Sequence, residues 1–345
     1  MMSQVVQNTL YLLTPGLYVH RDHLSLRIEQ EKQLRLSLPI HNLEAVLVFG
    51  PSSLSPPAMQ LCWENGVAVA FLSEHGRFIA RVEGVPQGSV LLRRAQHRGS
   101  DDATMALRLM RNIVAGKLQN SRWMLNRTAR ETADERERSR LEQVSQSLAY
   151  ALRELPESPH ADAIRGIEGQ AAALCFDVFP LHLKPAVRDK FPFKGRERRP
   201  PRDAVNCLLS FLYALVRHDC VAGLTAVGLD PVVGFLHTDR PGRASPALDL
   251  MEEFRPLADR LAVTLLNRGE MNPPHFVERD GGACELTEAG RKAIVAAWQQ
   301  RKLEQIQHAQ FKEKVRFGQL PFLQARILAR VLRGDIPAYL PHLLT

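Results

Sequence analysis

Three short stretches carry side chains suited to hard-metal and phosphate chemistry. The first is Arg165-Gly166-Ile167-Glu168-Gly169-Gln170. It lies where a helix is expected, yet it holds two glycines three residues apart. Each glycine costs about 0.8–1 kcal/mol relative to alanine inside a helix, so close approach of another backbone or a ligand is the expected reason. The second is Gly234-Phe235-Leu236-His237, which runs into the loop Thr238-Asp239-Arg240-Pro241-Gly242-Arg243. The third is Ser245-Pro246-Ala247-Leu248-Asp249-Leu250-Met251-Glu252-Glu253-Phe254-Arg255-Pro256. Ser245 suits a helix cap and Pro246 a first helical position. Asp249 and Glu252 then share one face at i and i+3, where two carboxylates repel unless a cation lies near. Singly, each stretch has a plainer reading: a tight helix crossing, a surface histidine, acidic residues at a helix N-terminus. Together, Glu168, His237 and a carboxylate form an oxygen-rich donor set with one imidazole. That set suits Mg²⁺ or Mn²⁺ and metal-assisted phosphoryl transfer, not a thiolate zinc site.

Between Glu168 and His237 runs a basic strip, Leu183 to Arg202. It holds Lys184, Arg188, Lys190, Lys194, Arg196, Arg198, Arg199 and Arg202 against Asp189 and Glu197. Such a strip is either a solubilising surface or a track for a phosphate backbone, and its place between candidate ligands favours the track. Phe191 and Phe193 are expected to anchor it in the core, with stacking on unpaired bases as the alternative. Pro192, Pro200 and Pro201 suggest an extended loop. Arg240 and Arg255, each three residues beyond a candidate ligand, are expected to hold phosphates. For Arg255 the alternative is a structural partner of Glu252 or Asp249.

The elements that must position these residues change character along the chain. Residues 8–92 read as β: Leu24, Leu26 and Ile28 alternate with polar residues, as do Leu34, Leu36 and Leu38. Alternation of period two marks half-buried strands. The runs Ala45–Phe49 and Val67–Leu72 are continuously apolar. Between them Ser55-Pro56-Pro57-Ala58 opens a short helix that ends near Asn65-Gly66, and Gly76 marks a further turn. Past Gly84–Gly88 the helical period takes over. Helices are expected to start near Val90, Asp102, Lys117, Ala133, Ala161, Ala204, Pro246, Thr287 and Ala325. The predicted fold is α+β: a small β-sandwich-like domain over 1–92 and a large all-α domain over 93–345.

Charge follows the same division. Residues 1–92 hold six basic and seven acidic side chains, whereas 93–345 holds 39 and 30. The whole excess of +8 is therefore C-terminal, which points to a polyanion partner for that part. The five cysteines show no CxxC spacing, so neither a disulfide frame nor a cysteine zinc site is expected. The longest apolar run, about ten residues, is half of what a membrane span needs. The N-terminus lacks the basic start of a secretory signal. A cytoplasmic protein with no membrane partner is the expectation.

Several motifs in this order resemble one family, the CRISPR-associated adaptation integrases, over about residues 8–340. They are Leu38-Pro39-Ile40-His41-Asn42-Leu43-Glu44 with Gly50, Phe71-Leu72-Ser73-Glu74 with Gly76-Arg77-Phe78, and Leu91-Leu92-Arg93-Arg94-Ala95-Gln96. They continue with Gly166-Ile167-Glu168-Gly169, Arg198-Arg199-Pro200-Pro201 with Asp203 and Val205-Asn206, Gly234-Phe235-Leu236-His237, and Asp249 through Pro256. The wording resembles the subtype I-C branch. The resemblance implies a metal-dependent DNA endonuclease and integrase. Its metal ligands match Glu168, His237 and Glu252, with Asp249 nearby and Asn206 beside the site. It also implies homodimers formed through the β domain and a small second adaptation protein that bridges two dimers. The implied reaction is transesterification, in which a prespacer 3′-hydroxyl attacks a phosphodiester at a repeat boundary. The DNA is double-stranded or branched. Cys175 departs from the pattern, where a tyrosine is expected, on what reads as the packing side of its helix. Two other readings compete: a stand-alone nuclease or resolvase acting on branched DNA in repair, and a DNA-binding scaffold with an inactive site.

Overall fold

The computed structural model describes residues 9–43, 45–74, 78–82, 90–308 and 313–344. Glu44, the turn expected at Gly76, and the change of character at Gly84–Gly88 lie outside the described residues.

Two four-stranded sheets and one helix form the N-terminal part. The strands are β1 (Thr9–Leu12), β2 (Leu17–Asp22), β3 (Ser25–Gln30), β4 (Gln33–Pro39), β5 (Ala45–Phe49), β6 (Ser53–Leu54), β7 (Ala68–Leu72) and β8 (Phe78–Val82), with α1 (Pro56–Glu64) between β6 and β7. One sheet has the order β4-β3-β2-β6 and the other β1-β5-β7-β8. Side chains of a strand point alternately to its two faces. Val46 and Val48 therefore join Val19, Leu26, Ile28 and Leu61 in a core between the sheets. Leu47 and Phe49 join the core of the helical part. Covering on both faces explains why Ala45–Phe49 reads as an unbroken apolar run. Ser55 Oγ accepts from Ala58 N to cap α1, and Gly66 supplies a positive φ just past its end.

The helices that follow are α2 (Val90–Asp101), α3 (Ala103–Glu131), α4 (Glu135–Glu154), α5 (Ala161–Asp177), α6 (Pro185–Arg188), α7 (Ala204–Ala226), α8 (Ser245–Met251), α9 (Arg255–Asn267), α10 (Glu288–Leu303) and α11 (Leu320–Arg333). Helix α2 already begins at Val90, so the expected boundary at 92/93 falls inside it. Helix α7 is long and apolar enough to cross a membrane by length and composition. In this fold it is the central core helix, with Leu208, Leu209, Leu212 and Leu224 fully buried. Gly223 permits a close crossing, since a Cβ there would stand 2.8 Å from the backbone oxygen of Pro321 at the start of α11.

Three features differ from the sequence reading. No helix starts at Lys117. Helix α3 runs through it unbroken for 29 residues, because Gly116 is the one weak helix former there and helices tolerate a single glycine. Helix α9 is separated from α8 by a 3₁₀ turn, Glu252–Phe254. The helical part also carries two small antiparallel ribbons: β9 (Phe276–Arg279) with β10 (Ala283–Leu286), and β11 (Gln305–Gln307) with β12 (Lys314–Arg316).

Candidate metal and nucleic-acid site

Four elements converge on one buried cluster. Helix α5 brings Glu168, α3 brings Lys117, the 3₁₀ turn after α8 brings Glu252, and the segment before α8 brings His237. Arg165 ties two of them together by donating from Nε to the carbonyl of Leu236 at 2.8 Å.

His237 is oriented by Asp249. The Asp249 carboxylate is buried and accepts four hydrogen bonds. Phe235 N and Leu236 N donate to Oδ2 at 2.6 and 3.0 Å, and His237 N and Nδ1 donate to Oδ1 at 2.9 and 2.7 Å. A carboxylate only accepts, so the ring proton is assigned to Nδ1. That leaves the Nε2 lone pair directed at Glu252, whose Oε1 is 3.8 Å away. Gly234 makes this approach possible, because a Cβ there would lie 3.0 Å from Asp249 Oδ2. Asp249 and Glu252 thus flank one imidazole from its two nitrogens. Ser245 does not cap α8 as expected. It is the first residue of that helix, and its hydroxyl donates to Thr238 O at 3.3 Å.

Glu252 is buried among cations. Arg255 Nε donates to its Oε1 at 2.7 Å. Lys117 Nζ lies 2.6 Å from its Oε2 in a buried ion pair. Burial alone would raise the Glu252 carboxyl, but chiefly Arg255 and Lys117 outweigh it and bring the pKa down to about 2. Lys117 also pairs with Glu168. Burial opposes its charge as well, and Glu252 and Glu168 together hold its pKa raised. One ammonium therefore stands between the two glutamates that the sequence nominated as ligands.

The donor set fits a hard divalent ion in kind: two carboxylates, an imidazole nitrogen fixed from behind, and a buried carboxylate oxygen that faces only the Lys117 ammonium. Among the described residues no three His, Cys, Asp or Glu side chains stand close enough to enclose an ion as they are. The positive charge between the carboxylates is Lys117. Sequence reasoning missed it. The available signal was its place on the buried stripe of α3, in step with Met110, Ile113, Val114 and Met124.

Other nominated residues lie elsewhere. Arg255 does not point outward to a phosphate. Its guanidinium is held by Glu252 and lies 4.8 Å from the Tyr213 ring centroid. Asn206 is fully buried and is not in contact with the glutamates. It anchors the basic strip instead, donating to Gly195 O at 2.8 Å and Asp203 Oδ2 at 2.6 Å. Its Oδ1 accepts from Glu197 N at 2.9 Å and from Arg196 Nη1 at 2.7 Å. Arg196 is thereby turned inward, with Nη2 on Ser210 Oγ at 3.0 Å. Lys194, Arg198, Arg199, Arg202 and Arg240 are exposed. Phe191 and Phe193 are core anchors, packed on Phe276 and on Phe176 and Phe179. Gly166 and Gly169 face open space rather than a helix crossing, since a Cβ at either would meet no atom within 4 Å. Cys175 lines a small cavity with Lys117, Ser121, Tyr213, Arg255 and Asp259, so it borders the site. Burial pushes its thiol up to about 12.

Known proteins resemble this chain over nearly its full length. The family described as "CRISPR associated protein Cas1" matches residues 10–300. A CRISPR-associated endonuclease Cas1 of Moorella thermoacetica is 45% identical over 340 residues, covering 98% of this chain and 99% of the relative. One of Chlorobaculum tepidum is 42% identical over 335 residues, covering 97% of each. Among solved structures, a casposase bound to its integration product superposes with a TM-score of 0.83 at 21% identity, over 97% of this chain and 93% of that one. A Cas1 protein from Thermotoga maritima gives 0.81 at 22% identity, over 95% and 97%.

Proposed function

Because the chain belongs to the Cas1 family, we propose that Glu168, His237 and Glu252 hold the divalent ion of its reaction and that Asp249 orients the histidine. The protein is an endonuclease and integrase of CRISPR adaptation. The ion is read as Mg²⁺ or Mn²⁺, and the branch as subtype I-C. When bound, such an ion supplies a Lewis acid that stabilises charge on a phosphate oxygen. The remaining work belongs to the chain's own residues. Asp249 fixes the ring and leaves Nε2 free of a proton. Arg255 keeps Glu252 ionised and aimed. Lys194, Arg198, Arg199, Arg202 and Arg240 hold DNA phosphates along the approach. The DNA is a double-stranded or branched prespacer and a repeat, and a prespacer 3′-hydroxyl is the attacking group in transesterification. The observation that carries this reading is the imidazole of His237, backed by Asp249 and facing Glu252, beside two carboxylates that share one cation.

The partners are read in the same way. Solved relatives of this fold include a Cas6-RT-Cas1–Cas2 complex, and a small Cas2-type adaptation protein is the proposed partner. A homodimer through residues 1–92 is supported by the outer sheet, where Leu34 and Leu36 on β4 and Tyr18 on β2 are exposed apolar side chains. The proposed location is the cytoplasm. The test is integration of a labelled DNA with a free 3′-hydroxyl into a repeat-bearing plasmid, with and without chelator and with and without the small partner. Chelator-sensitive transfer that the partner enhances supports the reading. Cleavage of branched DNA without any transfer would favour a repair nuclease.

A further inference from the structure

Lys117 has no place in the reaction as described, yet its ammonium is the best-placed charge in the site. It projects from the middle of α3, with buried Ile113 and Val114 one turn before it and buried Asn120 one turn after it. Its side chain is only 11% exposed, and its nitrogen contacts both Glu168 and Glu252. A buried lysine is held there only where carboxylates offset its desolvation. A buried Glu252 facing a half-buried Glu168 needs a cation in turn.

We propose that Lys117 is the resident counter-cation of the metal site: its ammonium holds Glu168 and Glu252 together when no ion is bound and must leave them for a divalent ion to enter. This rests on the metal-site reading above. Three observations support it. The ammonium lies between the two carboxylates, so it and a divalent ion bridging them compete for the same place. Arg255 holds Glu252 Oε1, so Oε2 is the oxygen left for a metal, and Lys117 covers it at 2.6 Å. Lys117 also borders the cavity lined by Ser121, Cys175, Tyr213 and Asp259, which gives the displaced side chain somewhere to go. The carboxylate of Asp259 there accepts a hydrogen bond from Tyr213 at 2.6 Å and offers an alternative anionic partner. The consequence is a site that stays folded and closed to stray cations, at the expense of weaker metal affinity.

The test titrates Mn²⁺ into the full-length chain and its Lys117→Met and His237→Ala variants, reading bound ion by electron paramagnetic resonance. Lys117→Met should bind Mn²⁺ at least ~10-fold more tightly than the parent, because no ammonium has to be displaced from between the two glutamates. Its melting temperature should be lower than the parent's without Mn²⁺ and rise more when Mn²⁺ is added. Equal or weaker binding by Lys117→Met, alongside weakened binding by His237→Ala, overturns the counter-cation and leaves the metal site standing. Binding that His237→Ala does not weaken overturns the metal-site reading and the proposal with it. A second measurement needs no variant: the NMR signal of the Lys117 side chain in the parent protein should move when Mg²⁺ is added, because the ammonium exchanges Glu168 and Glu252 for Asp259. An unchanged signal at saturating Mg²⁺ overturns the proposal.

Discussion

One oxygen of Asp249 receives both the backbone N–H and the ring Nδ1–H of His237, at 2.9 and 2.7 Å. The same carboxylate receives the two preceding backbone N–H groups on its other oxygen. Main chain and ring of the histidine are thus set by a single buried anion. Asp249→Asn replaces one accepting oxygen with an amide that donates, so either the backbone pair or the histidine loses its partner. Loss of the group that orients a metal-binding histidine typically reduces metal affinity ~10–100-fold. Asp249→Asn is expected to fall in that range in a Mn²⁺ titration while remaining folded. Parent-like affinity would show that His237 needs no orienting partner.

The glutamates differ in what their removal leaves behind. Glu252→Ala strands Arg255 and Lys117, both buried, and breaking a buried ion pair costs about 3–5 kcal/mol. Its side chain is 2% exposed against 25% for Glu168. Glu252→Ala is therefore not the fold-neutral probe that its place among the ligands suggests. Denaturant unfolding should show a large loss for Glu252→Ala and a smaller one for Glu168→Ala. Equal losses would mean that Arg255 and Lys117 find other partners.

The basic strip divides into two groups. Arg196 is bonded inward to Asn206 and Ser210, whereas Lys194, Arg198, Arg199 and Arg202 are exposed. Arg198→Ala with Arg199→Ala should flatten the salt dependence of DNA binding by about two units of slope without moving the melting temperature. Arg196→Ala should lower the melting temperature instead. An unchanged salt slope in the double variant would make the exposed arginines a solubilising surface.

Much of this was legible in the sequence, and the failures have physical causes. The alternation at Leu26 and Ile28 on β3 and the cap at Ser55 are local signals that the structure bears out, whereas Leu34 and Leu36 on β4 alternate but are exposed; Glu168, His237 and Glu252 come together around Lys117 and Asp249. Lys117 was not legible, because a lysine in a helix pattern ordinarily lies on a solvated face and its burial depends on α5 and the turn after α8. Arg255 read as a phosphate ligand or as a partner of Glu252, and only the path of the 3₁₀ turn decides between these. Gly166 and Gly169 were expected to mark a close approach, but the space beside them is open. Asn206 was assigned to the site by resemblance, yet its bonds run to the loop 195–203.

Acid sensitivity follows from three histidines outside the metal cluster. Burial lowers His182, His218 and His342 to about 4. An unfolded histidine titrates near ~6.5. Between those values the unfolded chain takes up protons that the native chain refuses, so stability is full above pH ~6.5 and falls as the pH drops toward ~4. Each histidine contributes up to about 1.4 kcal/mol per pH unit. The His342 ring stacks on Phe254 and its Nδ1 has no hydrogen-bond partner, so His342→Phe keeps the ring contact and removes one proton site. Unfolding free energies at pH 7 and pH 5 should differ less in His342→Phe than in the parent, by about 1–2 kcal/mol. An identical difference would place the acid sensitivity elsewhere.

The central claim is that the His237 cluster performs metal-dependent strand transfer. The direct measurement is the yield of covalent prespacer–repeat product at saturating DNA and 10-fold excess partner, about ten times the parent protein's own level, for the parent and His237→Ala in Mg²⁺, in Mn²⁺ and in chelator. The account predicts product from the parent in at least one ion, none in chelator, and none from His237→Ala in either ion, with DNA binding by the variant retained. Parent-level product from His237→Ala would contradict it.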